Sequence, residues 1–252
     1  MEERATHTTT LKNTCEGDEY TLLRSLSASE SWDHFSEEEK EHLAHRFIDW
    51  GQHLLKNNDP YAVKALDTGD KLAPTTHALL LRQGCCWYNY AYKHKNMKSF
   101  FKAEDFFQKA LKHTATSCEA WFYLGKVFSN MAMLQQDMSF FQKAHHAYEQ
   151  VEKYLSHGPV TYSELMWQWG RSYYFLGKIS GEIVDFHTAL NSYKNAQDII
   201  KSDLFWNDYG NAFVEVGCLI NDTQHLMEAL ACYKKCVSRC SENFEGWLNA
   251  AC

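Results

Sequence analysis

Proline is nearly missing from this sequence: three residues in 252, at positions 60, 74 and 159. Inside a helix, proline removes a hydrogen bond and clashes with the preceding turn. A chain this poor in it can run long helices unbroken. The twelve glycines are scattered, whereas a β-sandwich needs a turn signal every ~8–12 residues. No apolar run approaches the roughly 18 residues that a membrane span requires. The opening MEERATHTTTLK also lacks the apolar stretch of a secretory signal. Basic residues are not in excess. Lys and Arg number 25 against 32 Asp and Glu, a formal net charge of −7 that attracts neither phosphate backbones nor anionic lipid. Nucleic acid and membranes are not expected partners.

Catalytic signatures are absent too. There is no Gly-rich phosphate loop, no H-E-x-x-H, no G-x-S-x-G and no Cys-x-x-Cys, so no catalytic residue, cofactor or metal is expected. The nine cysteines form an odd set without a disulfide framework. With no export signal they are expected as reduced thiols in the cytoplasm. His145 and His146 are neighbours about 100° apart on a helix and do not converge on one ion. Cys232, Cys236 and Cys240 lie along one helix face, but a tetrahedral site needs further ligands from elsewhere, and free cysteine packs as a small hydrophobe.

What the sequence does have is aromatic mass and a period. Hydrophobic residues make up 45% and aromatics 15%, ample for a packed core. FIDWGQHL, LLRQGCCW, WFYLGKVF, MWQWGRSY and WNDYGNAF centre on Gly51, Gly84, Gly125, Gly170 and Gly210. Three residues after each glycine stands a large packing residue: Leu54, Trp87, Phe128, Tyr173 and Phe213. Nineteen residues after each of the last four glycines comes an alanine, followed by an aromatic at +4 and a compact residue at +7. These sets are Ala103/Phe107/Ala110, Ala144/Tyr148/Val151, Ala189/Tyr193/Ala196 and Ala229/Tyr233/Cys236.

This pattern resembles the tetratricopeptide repeat, a helix–turn–helix unit reading W-x2-L-G-x2-Y, then A-x3-F, then P. Trp121, Leu124, Gly125 and Phe128 match its first half, and Gly51, Ala62, Leu66, Gly69 and Pro74 follow the ordinary spacing within one residue. Later steps between glycines are 41, 45 and 40 residues, against a family period of about 34. An insertion of about seven residues is close to two helical turns, one on each helix, and keeps the packing faces in phase. The hairpin tips are then expected near KHKNM, QQD, KISGE and INDTQ, with about one more turn beside SHGPVT.

The resemblance implies an all-α fold, a right-handed superhelical solenoid of stacked helical hairpins over residues 36–252. Ser36 and Glu39 form a capping box at its start. Residues 1–35 are expected as a polar segment, mobile at first, with DEYTLLRSL as a capping helix. Trp247 falls 41 residues after Trp206, which places the last residues in the first helix of a sixth repeat and makes the chain a fragment of a longer array. Self-association through that uncapped end is expected.

Trp121, Trp169, Trp206 and Tyr193 occupy core slots of the resemblance. Its groove-facing slots give Phe122, Lys126, Ser129 and Asn130; Trp167, Arg171, Tyr174 and Phe175; and Asn207, Asn211, Val214 and Glu215. An earlier, more apolar stretch is Ala78, Leu81, Cys85 and Tyr88. Trp, Arg and Tyr are frequent interface anchors, and Arg, Lys and Asn suit a peptide backbone or carboxylate. Trp167 and Phe175 could instead pack between neighbouring repeats.

The function this implies is a non-enzymatic scaffold holding a protein or peptide. The alternatives are the regulatory arm of a longer enzyme, such as a glycosyltransferase, and a chaperone for secreted proteins.

Overall fold

The structure is a computed structural model, and it describes residues 21, 23–27, 32, 35–72, 76–197, 200 and 202–239. The sixth-repeat reading at Trp247 and the thiol of Cys240 lie outside these residues, as does most of the 1–35 segment. The described residues form helices without strands. In order these are α1 Glu37–Lys56, α2 Ala62–Lys71, α3 His77–His94, α4 Met97–His113, α5 Cys118–Gln135, α6 Met138–Tyr154, α7 Tyr162–Ser180, α8 Ile183–Ala196, α9 Asp203–Ile220 and α10 Thr223–Arg239. A 3-10 turn, Leu155–His157, fills the extra length beside SHGPVT.

Local chemistry sets the helix starts. Ser36 with Glu39 and Thr161 with Glu164 form reciprocal capping boxes. Asn96, Ser117 and Asp137 accept from backbone amides of α4, α5 and α6. Each cap satisfies donors that the first helical turn leaves open.

The hairpin tips fall where the lengthened period puts them, between α3 and α4, α5 and α6, α7 and α8, and α9 and α10. Each tip is two residues long and opens on a left-handed residue: Lys95 (φ 50°), Gln136 (φ 54°), Gly181 (φ 73°) and Asn221 (φ 53°). That conformation ends a helix and turns the chain back, and only one of the four is the glycine that adopts it without cost.

The repeated glycines carry the close approach inside each hairpin. A β-carbon at Gly84 would sit 2.6 Å from the Phe107 ring, and one at Gly210 would sit 2.5 Å from Tyr233. Gly125 faces Tyr148 and Gly170 faces Tyr193 in the same way. The glycine and the aromatic of the second motif are thus one device: absence of a side chain on the first helix makes room for a ring from the second.

The chain divides into two compact units, residues 1–115 and 116–252. In the first, α1 pairs with α2 and α3 with α4, and α3 lies against α1 and α2. Part of the expected capping segment is helical here. Leu23 is fully buried, Arg24 lies over the Tyr61 ring, and the Ser27 hydroxyl meets that of Tyr61 at 3.1 Å. Trp32 packs edge-on against Phe47.

One core slot of this unit is polar. Gln83 is fully buried, where sister repeats place Leu124, Trp169 and Tyr209. Its amide donates to the Leu66 carbonyl (3.0 Å) and to Asp70, which also accepts from Trp87 Nε1 (3.1 Å). Lys102 pairs with Asp67 and lies 3.9 Å above the Trp87 ring. Burial raises the Asp70 carboxyl above its usual range, against the pull of Trp87, Gln83 and Lys102.

In the second unit α5 pairs with α6, α7 with α8 and α9 with α10. The first helices also form a layer of their own, with α7 lying against both α5 and α9. Tyr148 of α6 meets Trp169 of α7 (6.0 Å), and Tyr193 of α8 meets Tyr209 of α9 (5.5 Å). Each hairpin therefore sits on the aromatic residue of the one before.

Candidate partner-binding surface

The three groove-facing stripes that begin at Phe122, Trp167 and Asn207 lie on α5, α7 and α9, the contiguous layer of the second unit. On α5, Phe122 and Tyr123 pack edge-on at 6.0 Å, and the Lys126 ammonium lies 5.6 Å and 4.9 Å from their rings. Asn130 is buried and donates to the Lys126 carbonyl at 2.7 Å. Ser129 is buried too, donating to the Gly125 carbonyl at 2.9 Å. These last two side chains each donate to the backbone of their own helix.

On α7 and α9 the structure adds a residue that the sequence reading passed over. Asp208, half-buried on α9, accepts from Trp167 Nε1 at 2.9 Å, and its carboxylate lies 3.2 Å from Arg171 Nε. Trp167 and Arg171 thus hold the seam between two first helices. Lower on the same seam Lys178 pairs with Glu215 at 2.7 Å. The first unit repeats the device where Arg82 of α3 pairs with Asp49 of α1.

Tyr174 packs against Phe175 (5.4 Å) and Phe186 (5.9 Å), and burial pushes its hydroxyl pKa up. Arg171 also lies 5.8 Å from the Phe175 ring. Asn207 is buried, and Asn211 accepts from the Tyr233 hydroxyl at 2.7 Å. Half-exposed aromatic rings of α5 and α7 therefore flank a charged seam at Asp208. A signal for that seam does exist in the sequence: Asp208 stands 41 residues after Trp167, one lengthened period.

In the first unit, Leu81 and Tyr88 of the more apolar stretch are buried, Cys85 is half-buried and Ala78 is exposed. Of the expected core aromatics, Trp206 and Tyr193 are buried, while Trp121 and Trp169 are half-buried. Trp169 is stacked at 6.5 Å on Tyr173, and Trp121 is met edge-on by His146 at 6.0 Å.

His145 packs 4.2 Å from the Tyr173 ring, and desolvation lowers its pKa to about 4. Cys232 and Cys236 are buried in the core, and desolvation pushes Cys232 up to about 12, far from thiolate chemistry at neutral pH. Among the described residues no group of three or more His, Cys, Asp or Glu side chains is placed to hold a metal ion. None of the described helices is long and apolar enough to cross a membrane.

Solved structures with this arrangement of helices exist. TTC0263, a thermophilic TPR protein of Thermus thermophilus, superposes with a TM-score of 0.57 at 15% identity, over 86% of this chain and 97% of that one. The MamA RS-1 ArsTM double mutant superposes with a TM-score of 0.51 at 15% identity, over 79% and 97%. No protein-family profile matches the chain, and no curated protein does. The likeness is one of fold: an all-α solenoid of helical hairpins of the tetratricopeptide type, as the sequence pattern implies.

Proposed function

We propose that the protein is a non-enzymatic scaffold that holds a protein or peptide partner on the layer of first helices α5, α7 and α9. One observation carries this reading. In a fold that builds its surface by stacking hairpins, this layer presents half-buried Phe122, Tyr123, Trp167 and Tyr174 beside Lys126, Arg171 and Asn211. Rings of this kind supply contact area at little entropic cost, and amides and cations orient an extended chain. The net charge of −7 favours a protein partner over nucleic acid. Cys86, Cys118, Cys218 and Cys232 carry free thiols, which suits a reducing, cytoplasmic setting. On this reading residues 36–252 act as one repeat array behind an N-terminal segment.

The test is quantitative affinity capture from the native cell lysate, with the chain as bait. A Phe122→Ala/Lys126→Ala double variant removes a ring and the ammonium that lies over it, and Arg171→Ala removes the partner of Asp208. Loss of the same captured protein from both baits, with the double variant melting like the wild type, is the expected result. Undiminished capture by the double variant refutes the assignment of this face.

A further inference from the structure

Two histidines from neighbouring hairpins meet in the second unit. His187 lies on α8 and His225 on α10, with ring centroids 6.4 Å apart at an interplanar angle of 71°. They stand two and four residues ahead of Ala189 and Ala229, so the repeat period does not pair them. His225 is held from three sides. Asp222, in the turn before α10, accepts from its Nδ1, Phe213 of α9 packs 6.0 Å from its ring, and His187 closes the third side. The bond to His225, ahead of one from the Gln224 amide, holds the Asp222 carboxyl below its usual range. The carboxylate is therefore the acceptor and Nδ1 carries the proton, which leaves Nε2 of the neutral ring as a lone pair. Among the described residues, no hydrogen bond engages that nitrogen or the His187 ring.

A carboxylate on one ring nitrogen and an open lone pair on the other is the arrangement that stands behind metal-bound histidines, where it fixes tautomer and ring and raises ligand basicity. Two imidazoles on one tetrahedral ion, each bound at about 2.0–2.1 Å, have ring centres roughly 5 Å apart. The observed pair needs to close by only roughly 1 Å, and His187 is exposed, so rotation of its side chain supplies the movement. We propose that His187 and His225 together bind a divalent cation of the zinc type between α8 and α10, with Asp222 as positioning residue and water in the remaining positions. Imidazole suits zinc, copper and nickel rather than calcium or magnesium. An ion held this way links two successive hairpins and stabilises the folded chain by mass action. The site lies on second helices, away from the α5–α7–α9 layer, and does not rest on the function assigned there.

The experiment is a calorimetric titration of the chelator-treated full chain with zinc chloride, with thermal melts in the presence and absence of the ion. Saturable binding of one ion per chain is expected. It should weaken about tenfold or more in His187→Ala and in His225→Ala, where a single imidazole remains. Asp222→Asn, which keeps an acceptor for the Gln224 amide, should weaken it about tenfold without changing the metal-free melt. His146→Ala and Cys218→Ser remove exposed donors elsewhere in the unit and should leave binding unchanged. Zinc should raise the melting temperature of the wild type and not that of His187→Ala, whose exposed side chain is dispensable to the fold. Absent saturable binding, or undiminished binding by His187→Ala, overturns the proposal. So does a zinc-dependent dimer in sedimentation, which makes the ion a bridge between copies. Undiminished binding by Asp222→Asn overturns the positioning role of Asp222.

Discussion

Replacing Gly125 with alanine tests whether the repeated glycines are spatial rather than conformational. The new β-carbon would stand 2.7 Å from Tyr148 Cδ1 and Cζ, and closer still to Cε1. Carbon atoms rest at about 3.5–4.0 Å, so the ring must retreat by roughly 1 Å. It has little room to do so. Tyr148 is fully buried, its ring lies 6.0 Å from Trp169, and its hydroxyl reaches Ser129 at 3.4 Å. Overpacking of this kind costs about 1–3 kcal/mol, and the better helix propensity of alanine returns up to about 1 kcal/mol.

The internal control is Gly69, also helical, where a β-carbon meets only atoms at 3.5–3.6 Å, an ordinary distance. Gly69→Ala should therefore stabilise by about 0.5–1 kcal/mol, while Gly125→Ala gains nothing and destabilises by up to about 2 kcal/mol after an offset of about 1 kcal/mol. Urea denaturation followed by circular dichroism measures both. A Gly125→Ala/Tyr148→Leu double variant should lose less than the two single losses added together, because the smaller side chain vacates the clash. If Gly125→Ala exceeds wild-type stability as Gly69→Ala does, the close-approach account of the repeat is wrong.

Other changes probe the tips, the seam and the response to acid. Gln136→Gly should stabilise by about 1 kcal/mol, since a left-handed conformation costs an L-residue roughly that much. Gly181→Ala should lose a similar amount although its β-carbon would touch nothing within 4 Å; thermal melts of the pair check both. Asp208→Ala strips the acceptor from Trp167 Nε1 and the counter-ion from Arg171 and should cost about 1–3 kcal/mol in urea denaturation, with Asp208→Asn losing less because an acceptor oxygen remains. The depressed pKa of His145, near 4 against 6.5, means that the unfolded chain takes up a proton the folded chain refuses. Its stability contribution is intact above pH 6.5 and is lost as pH falls toward 4, by at most roughly 3 kcal/mol. His145→Leu, the residue found at Leu190, should flatten that part of the stability-versus-pH curve.

Much of the fold was legible because each repeat states its geometry twice, as a glycine and as the aromatic that fills the space above it. The spacing of 19 residues between glycine and alanine located the hairpin tips, since only whole helical turns can be inserted without rotating Tyr148 or Tyr193 away from its glycine. Seams between hairpins were less legible. Trp167 and Asp208 are one period apart, so neither looks unusual within its own repeat, and a reading confined to spacings inside one hairpin does not pair them. Gln83 hid for a different reason. It occupies a slot filled by aromatic or aliphatic residues elsewhere, and the Leu66 carbonyl and Asp70 carboxylate of the preceding hairpin explain how its buried NH2 group is satisfied there.

The seam also constrains how the proposed face can bind. An acidic ligand group approaching Arg171 finds Asp208 already beside it and must displace that carboxylate, together with its bond to Trp167. Exchange of one carboxylate for another inside the protein gains little net energy, because each partner gives up a comparable charge-assisted contact. Affinity on this face therefore has to come from surface not engaged in the seam, namely the rings of Phe122 and Tyr123 on α5 and of Tyr174 and Phe175 on α7. Arg171 would then act by keeping α7 and α9 at the spacing that presents those rings. Under this account Arg171→Lys, which keeps the charge but loses the planar fork, weakens partner capture about as much as Arg171→Ala does. An Arg171 that binds the ligand simply by its charge would tolerate lysine, and near-wild-type capture by Arg171→Lys would return it to the contact surface.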